Sequence, residues 1–268
     1  MRVATGILFW VLTMGSAVAH GPAPVRPDTL WRSWSFDPLV LVPLLLACWL
    51  YARGVWHLWT RAGWGRGVAY FHALSFALGA AVLFVALVSP LDQLGETLLS
   101  AHMAQHGLLV AVAPLLLLFG KLGVVFAWAL PKSWRKSVLG SISWRWLTGT
   151  LDALSRPLSA AVLHGLALWF WHAPAAFDAA VASYGVHALE HASFFGTALL
   201  FWRAILDAHS SRRAGRALGA TFATLMHGGL LGGLITMAPY PLYTGYRGRT
   251  ELWGLSLLED QQLAGLLM

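Results

Sequence analysis

Six runs of roughly 17 to 25 mainly apolar residues constrain this chain more than any other feature, because a helix of that length matches the hydrocarbon thickness of a bilayer. They fall at 38–56, 68–89, 97–119, 157–173, 186–206 and 218–238, and a seventh begins near Leu257 and stops at Met268. A composition 58% hydrophobic and only 11% charged exceeds what one soluble core can hide, so lipid must be the solvent for much of the surface. The expected fold class is all-α, a polytopic membrane helix bundle of about seven transmembrane helices, the last incomplete.

Residues 1–19 read differently. Arg2 precedes the apolar stretch 7–14, and Ala17-Val18-Ala19 supplies the small residues a signal peptidase reads, so this segment resembles a cleavable secretory signal, with 20–268 as one transmembrane domain. Cleavage there would leave His20 with a free amino group beside its imidazole, a pair able to chelate copper. The single cysteine, Cys48, lies within an apolar run and excludes both an intrachain disulfide and a Cys-Cys metal motif.

Orientation follows from the basic residues in the loops. With the mature N-terminus outside, Arg53, Arg61, Arg66, Lys121, Lys132, Arg135, Lys136, Arg145, Arg156, Arg203, Arg212, Arg213 and Arg216 face inward, against Arg26, Arg32, Arg247 and Arg249 outward. The bias supports that orientation in a cell membrane. Because the net charge of +7 is divided among these loops and forms no extended patch, a nucleic-acid partner is excluded. The longest inner connection, 120–156, is expected to lie along the inner surface.

On this topology the histidines gather near the outer side. His102 and His106 sit four apart near the outer end of the third span, so both rings share one helix face. His187 and His191 repeat that spacing on the fifth span, and His172 closes the fourth. Asp260 opens the seventh, while His164 and His227 lie deeper, the latter after Met226. Ionisable groups in spans are costly and are functional by default. Imidazole suits copper, zinc, iron and nickel, and thioethers favour Cu(I), so copper is the best single expectation. The order His187-Ala-Leu-Glu-His191 does not match the metalloprotease pattern, and no nucleophile or general-base constellation marks an enzyme. A b-type cytochrome with histidine-ligated haem and a copper transporter remain open on these residues.

The runs Ser100-Ala-His-Met-Ala-Gln-His106, Trp171-His-Ala-Pro-Ala-Ala-Phe-Asp178, His187-Ala-Leu-Glu-His191, Leu200-Phe-Trp202 and Asp260-Gln-Gln-Leu-Ala-Gly-Leu-Leu-Met268 resemble the CtaG-type cytochrome c oxidase assembly family. The resemblance implies a cytoplasmic-membrane protein that helps mature a haem-copper oxidase by assisting copper delivery. A copper chaperone would be its donor and an oxidase subunit its acceptor. The matched candidate ligands are His102, His106, His172, His187, His191 and Asp260, with His164, His227, Met226 and His20 as weaker ones.

Overall fold

The computed structural model describes residues 24–139, 141–208 and 214–268. The expected signal segment and His20 lie outside the described residues. Every regular element among the described residues is helical. In chain order these are α1 Pro38–Ala62, α2 Tyr70–Leu87, α3 Pro90–Gly95, α4 Leu99–Gly107, a π turn at Leu108–Val112, α5 Ala113–Phe119, α6 Leu122–Ala129, α7 Lys132–Leu139, α8 Ile142–Leu154, α9 Pro157–Trp171, α10 Pro174–Ala182, α11 Tyr184–Ala208, α12 Ala214–Met237 and α13 Leu257–Leu266.

Among the described residues, four helices are long and apolar enough to cross a membrane: α1, α2, Leu99–Phe119 and α12. The bent pair α9 and α10, at 74° to each other, makes a fifth if it is one broken span. The expected count of about seven is therefore met only in part, for physical reasons that differ by element. Pro174 denies α9 its next backbone hydrogen bond and ends it at Trp171. α11 is 25 residues long, but His187, Glu190 and His191 dilute its apolar character, and α13 has only 10 residues.

Pro114 also shapes the third span. A proline has no N–H to give the carbonyl four residues before it, here that of Val110, and the helix widens into the π turn just upstream. The freed Val110 carbonyl accepts from the Trp202 indole at 2.8 Å, which ties this span to α11 directly below the histidines.

α6 departs from the expected surface-lying connection: it packs against the C-terminal half of α1. Val125 is fully buried there, and a Cβ on Gly54 would collide with the Val125 carbonyl, so only glycine lets the two backbones meet. Tyr51 stacks on Phe76 at 3.6 Å and donates to the Gly120 carbonyl at 2.8 Å. Ser75 and His72 of α2 likewise donate to the Leu116 and Phe119 carbonyls, both at 2.7 Å, satisfying the end of α5. Cys48 is a free thiol packed beside this cluster.

At the end of the bundle nearest the histidine pairs, expected to be the outer one, the segment between α12 and α13 folds over the bundle. Tyr243 and Tyr246 are almost wholly buried and pack on Phe177 of α10, with ring centroids 4.4 and 6.1 Å away. Tyr246 donates to the Gly95 carbonyl and Arg249 to that of Glu96, at 3.0 and 2.6 Å.

Candidate metal centre

Two helices bring the histidine pairs together. α4 presents His102 and His106 with ring centroids 4.1 Å apart, and α11 presents His187 and His191 at the same separation. Across the interface, His102 lies 5.3 Å from His187 and 5.7 Å from His191, and His106 lies 5.2 Å from His191. The four-residue spacing seen in the sequence thus does place both pairs on facing stripes.

Glu190 completes the group, and the sequence reading left it out. It has no exposed surface, and its two carboxylate oxygens divide between the α4 histidines: Oε2 is 3.8 Å from His102 Nε2 and Oε1 is 3.8 Å from His106 Nε2. One donor atom each from His102, His187, Glu190 and His191 lies within 4.8 Å of the others. The signal was available in principle, because a glutamate three residues after His187 shares its helix face.

The hydrogen bonding is as informative as the distances. His102 Nε2, both ring nitrogens of His106, the Nε2 atoms of His187 and His191, and both Glu190 oxygens are buried without any partner. Buried polar atoms are ordinarily hydrogen-bonded, and each orphan costs about 1–3 kcal/mol. A neutral imidazole has one N–H and one lone pair, so one His106 nitrogen bears a hydrogen, but the Nε2 atoms of His102, His187 and His191 gather with both Glu190 oxygens without partners, a set that fits a cation. Imidazole and carboxylate suit divalent copper and zinc.

The other predicted residues fall elsewhere. Asp260 does not join the group: both its oxygens cap α4, accepting from Leu99 N–H at 2.6 Å and from Ser100 N–H and hydroxyl. Leu98 at that N-cap offers no side-chain acceptor, so the last helix supplies what the sequence there lacks. His172 flanks the group, its ring 6.1 Å from that of His106. His164 bonds Thr197 Oγ1 at 3.0 Å through Nδ1, and His227 lies against Gly165 on the neighbouring helix face. Met226 is 57% exposed and points away from the site, because the turn it occupies on α12 faces outward.

Phe177, 5.3 Å from His102, and the two tyrosines above it close the group toward the outside. A cavity of about 800 Å³ reaches it from the side, between α1, α2 and α11. Its wall is mainly apolar; Asp37, Asp92 and Glu96 line its outer part, His187 and His191 lie beside them on α11, and Leu117, Leu122, Phe126 and Leu199 line its deeper part.

No curated protein and no solved structure matches the chain. A family model does, that of the cytochrome c oxidase caa3 assembly factor, over residues 49–268. That stretch contains the histidine pairs, Glu190 and the capping Asp260. A match over so much of the chain shows that this protein belongs to the cytochrome c oxidase caa3 assembly factor family.

Proposed function

We propose that the protein holds copper at the α4–α11 group as cargo and assists its delivery to a cytochrome c oxidase subunit during assembly, without catalysing a reaction itself. One observation carries this reading: the partnerless Nε2 atoms of His102, His187 and His191 and both Glu190 oxygens gather in a buried pocket, a donor set of three imidazoles and a carboxylate, with the His106 imidazole beside them. His102, His187, Glu190 and His191 are the ligands, and Asp260 positions α4 rather than binding the ion. Because the donors come from two separate helices, a small relative shift separates them, as a site that must release its metal requires. A closed structural site on one rigid element would retain the ion.

In this reading about seven helices cross the cell membrane with the N-terminus outside, and a copper chaperone loads the site from that side. The acidic residues at the cavity's outer part favour entry of a cation.

The test is the copper content and visible spectrum of the detergent-purified full-length protein beside a His187→Ala, His191→Ala variant. The parent is expected to retain about one ion or more per chain and the variant to hold less, with no haem band. Equal copper in both would overturn the reading, and a Soret band in the parent would replace it with a membrane cytochrome.

A further inference from the structure

His172 poses a proton-counting problem. Its Nδ1 faces the Leu168 carbonyl at 2.8 Å, and its Nε2 faces the Met103 sulfur at 3.4 Å. A carbonyl only accepts, so in the neutral ring the one proton sits on Nδ1. Nε2 is then a bare lone pair, and a thioether sulfur is also only an acceptor. Two lone pairs face each other, buried at 4% and 3% exposure, with no hydrogen between them. A second proton on the ring would supply one, but it would bury an imidazolium in an apolar setting.

His106 stands on the other side. Both its ring nitrogens are buried and without partners, and its ring centroid is 6.1 Å from that of His172. Imidazole nitrogens bond such ions at about 2 Å, so two rings sharing one ion from opposite sides have centroids about 6 Å apart. A backbone carbonyl on Nδ1 is also the usual device that presents Nε2 to a metal.

We propose that His106, His172 and Met103 form a second ion position beside the first, one suited to copper(I). The proposal rests on the reading of the neighbouring group as a metal site and adds to it a softer station. Two imidazoles and a thioether select the monovalent ion, whereas three imidazoles with a carboxylate suit the divalent one. Glu190 stands between the two positions, one oxygen toward His102 and the other toward His106. Of the other methionines among the described residues, Met226 and Met237 are exposed at 57% and 84%, and Met268 packs beside Gly232 of α12.

The experiment is an anaerobic copper(I) titration of the detergent-purified full-length protein against a chromophoric copper(I) chelator, with X-ray absorption at the copper edge. Met103→Leu is the main variant, because that swap conserves volume in the packed core. The parent is expected to bind two ions per chain and to show sulfur scattering at about 2.3 Å, the ordinary metal–sulfur length. Met103→Leu should bind one ion tightly and lose the sulfur signal, and His187→Ala with His191→Ala should retain the sulfur-containing position. A parent with one ion and no sulfur signal, or a signal surviving Met103→Leu, would overturn the second position and leave the first intact. Loss of both ions in the His187, His191 variant would also overturn it, as the two would then be one site. A parent that binds no copper at all would bring down both readings.

Discussion

A carboxylate with no exposure and no hydrogen bond, as at Glu190, is destabilising until a cation meets it. Glu190→Gln is therefore expected to act in opposite directions on two readouts. The metal-free protein should melt higher, by the equivalent of about 1–3 kcal/mol, while copper affinity should fall about ten-fold or more in a competition titration. Parallel losses in both would mean that Glu190 merely packs. Glu96, outside the spans at the cavity's outer part, gives a pH prediction. Burial first, and then Asp92, pushes its carboxyl up from 4.5 to about 7, with Arg249 opposing, and burial raises Asp92 too. An acid whose pKa rises on folding holds its proton more tightly in the folded chain, so its contribution is fully present below pH 4.5 and lost as pH climbs to about 7. Resistance to denaturant in detergent should decline across that window, and Glu96→Gln should flatten the slope; a slope unchanged by the substitution would assign it to another group. The paired histidines were legible because four residues is one turn of helix, a local fact. The capping role of Asp260 was not, since its partners Leu99 and Ser100 lie about 160 positions away and nothing local pairs the bare N-terminus of α4 with the last helix.

At the scale of elements, the π turn shows how one residue's missing hydrogen becomes a contact between helices. Without Trp202, the Val110 carbonyl would have no donor, and Trp202→Phe is expected to cost about 1–3 kcal/mol in thermal unfolding while leaving the helix itself in place. A melting temperature equal to the parent's would show that another donor reaches the carbonyl. Apolar runs announced the centres of α1, α2, the third span and α12, because lipid tolerates little else over that length. They did not announce α6. Its residues are apolar enough for a surface or a core, and what decides between them is the absent side chain of Gly54 on another helix. The break between α9 and α10 was written in Pro174, but not its 74° angle, nor that Phe177 of α10 meets two tyrosines from a distant segment.

Across the whole molecule, the candidate site has a closed outer face and an open flank. Phe177, Tyr243 and Tyr246 cover it from outside, while the cavity of about 800 Å³ reaches His187 and His191 between helices. If the proposed ion is bound, the flank and not the aromatic cover is its path of exchange. α13 holds the arrangement together. Gly265 and Gly232 let it press against α12, where a Cβ on either would meet the other's carbonyl at 2.6 Å, and Asp260 reaches α4 from that seat. Asp260→Ala is expected to lower thermal stability by about 1–3 kcal/mol through the two unpaired backbone donors, and to loosen copper without removing a ligand. Copper affinity identical to the parent's would show that α4 keeps its place unaided. Synthesis runs from the N-terminus, so the histidines of α4 and α11 emerge from the ribosome before the residue that fixes α4. Until Asp260 has been made and seated, the nascent chain carries the donor groups without the cap on α4, so under the proposed copper reading a metal-loaded site would mark a chain whose synthesis has passed that residue.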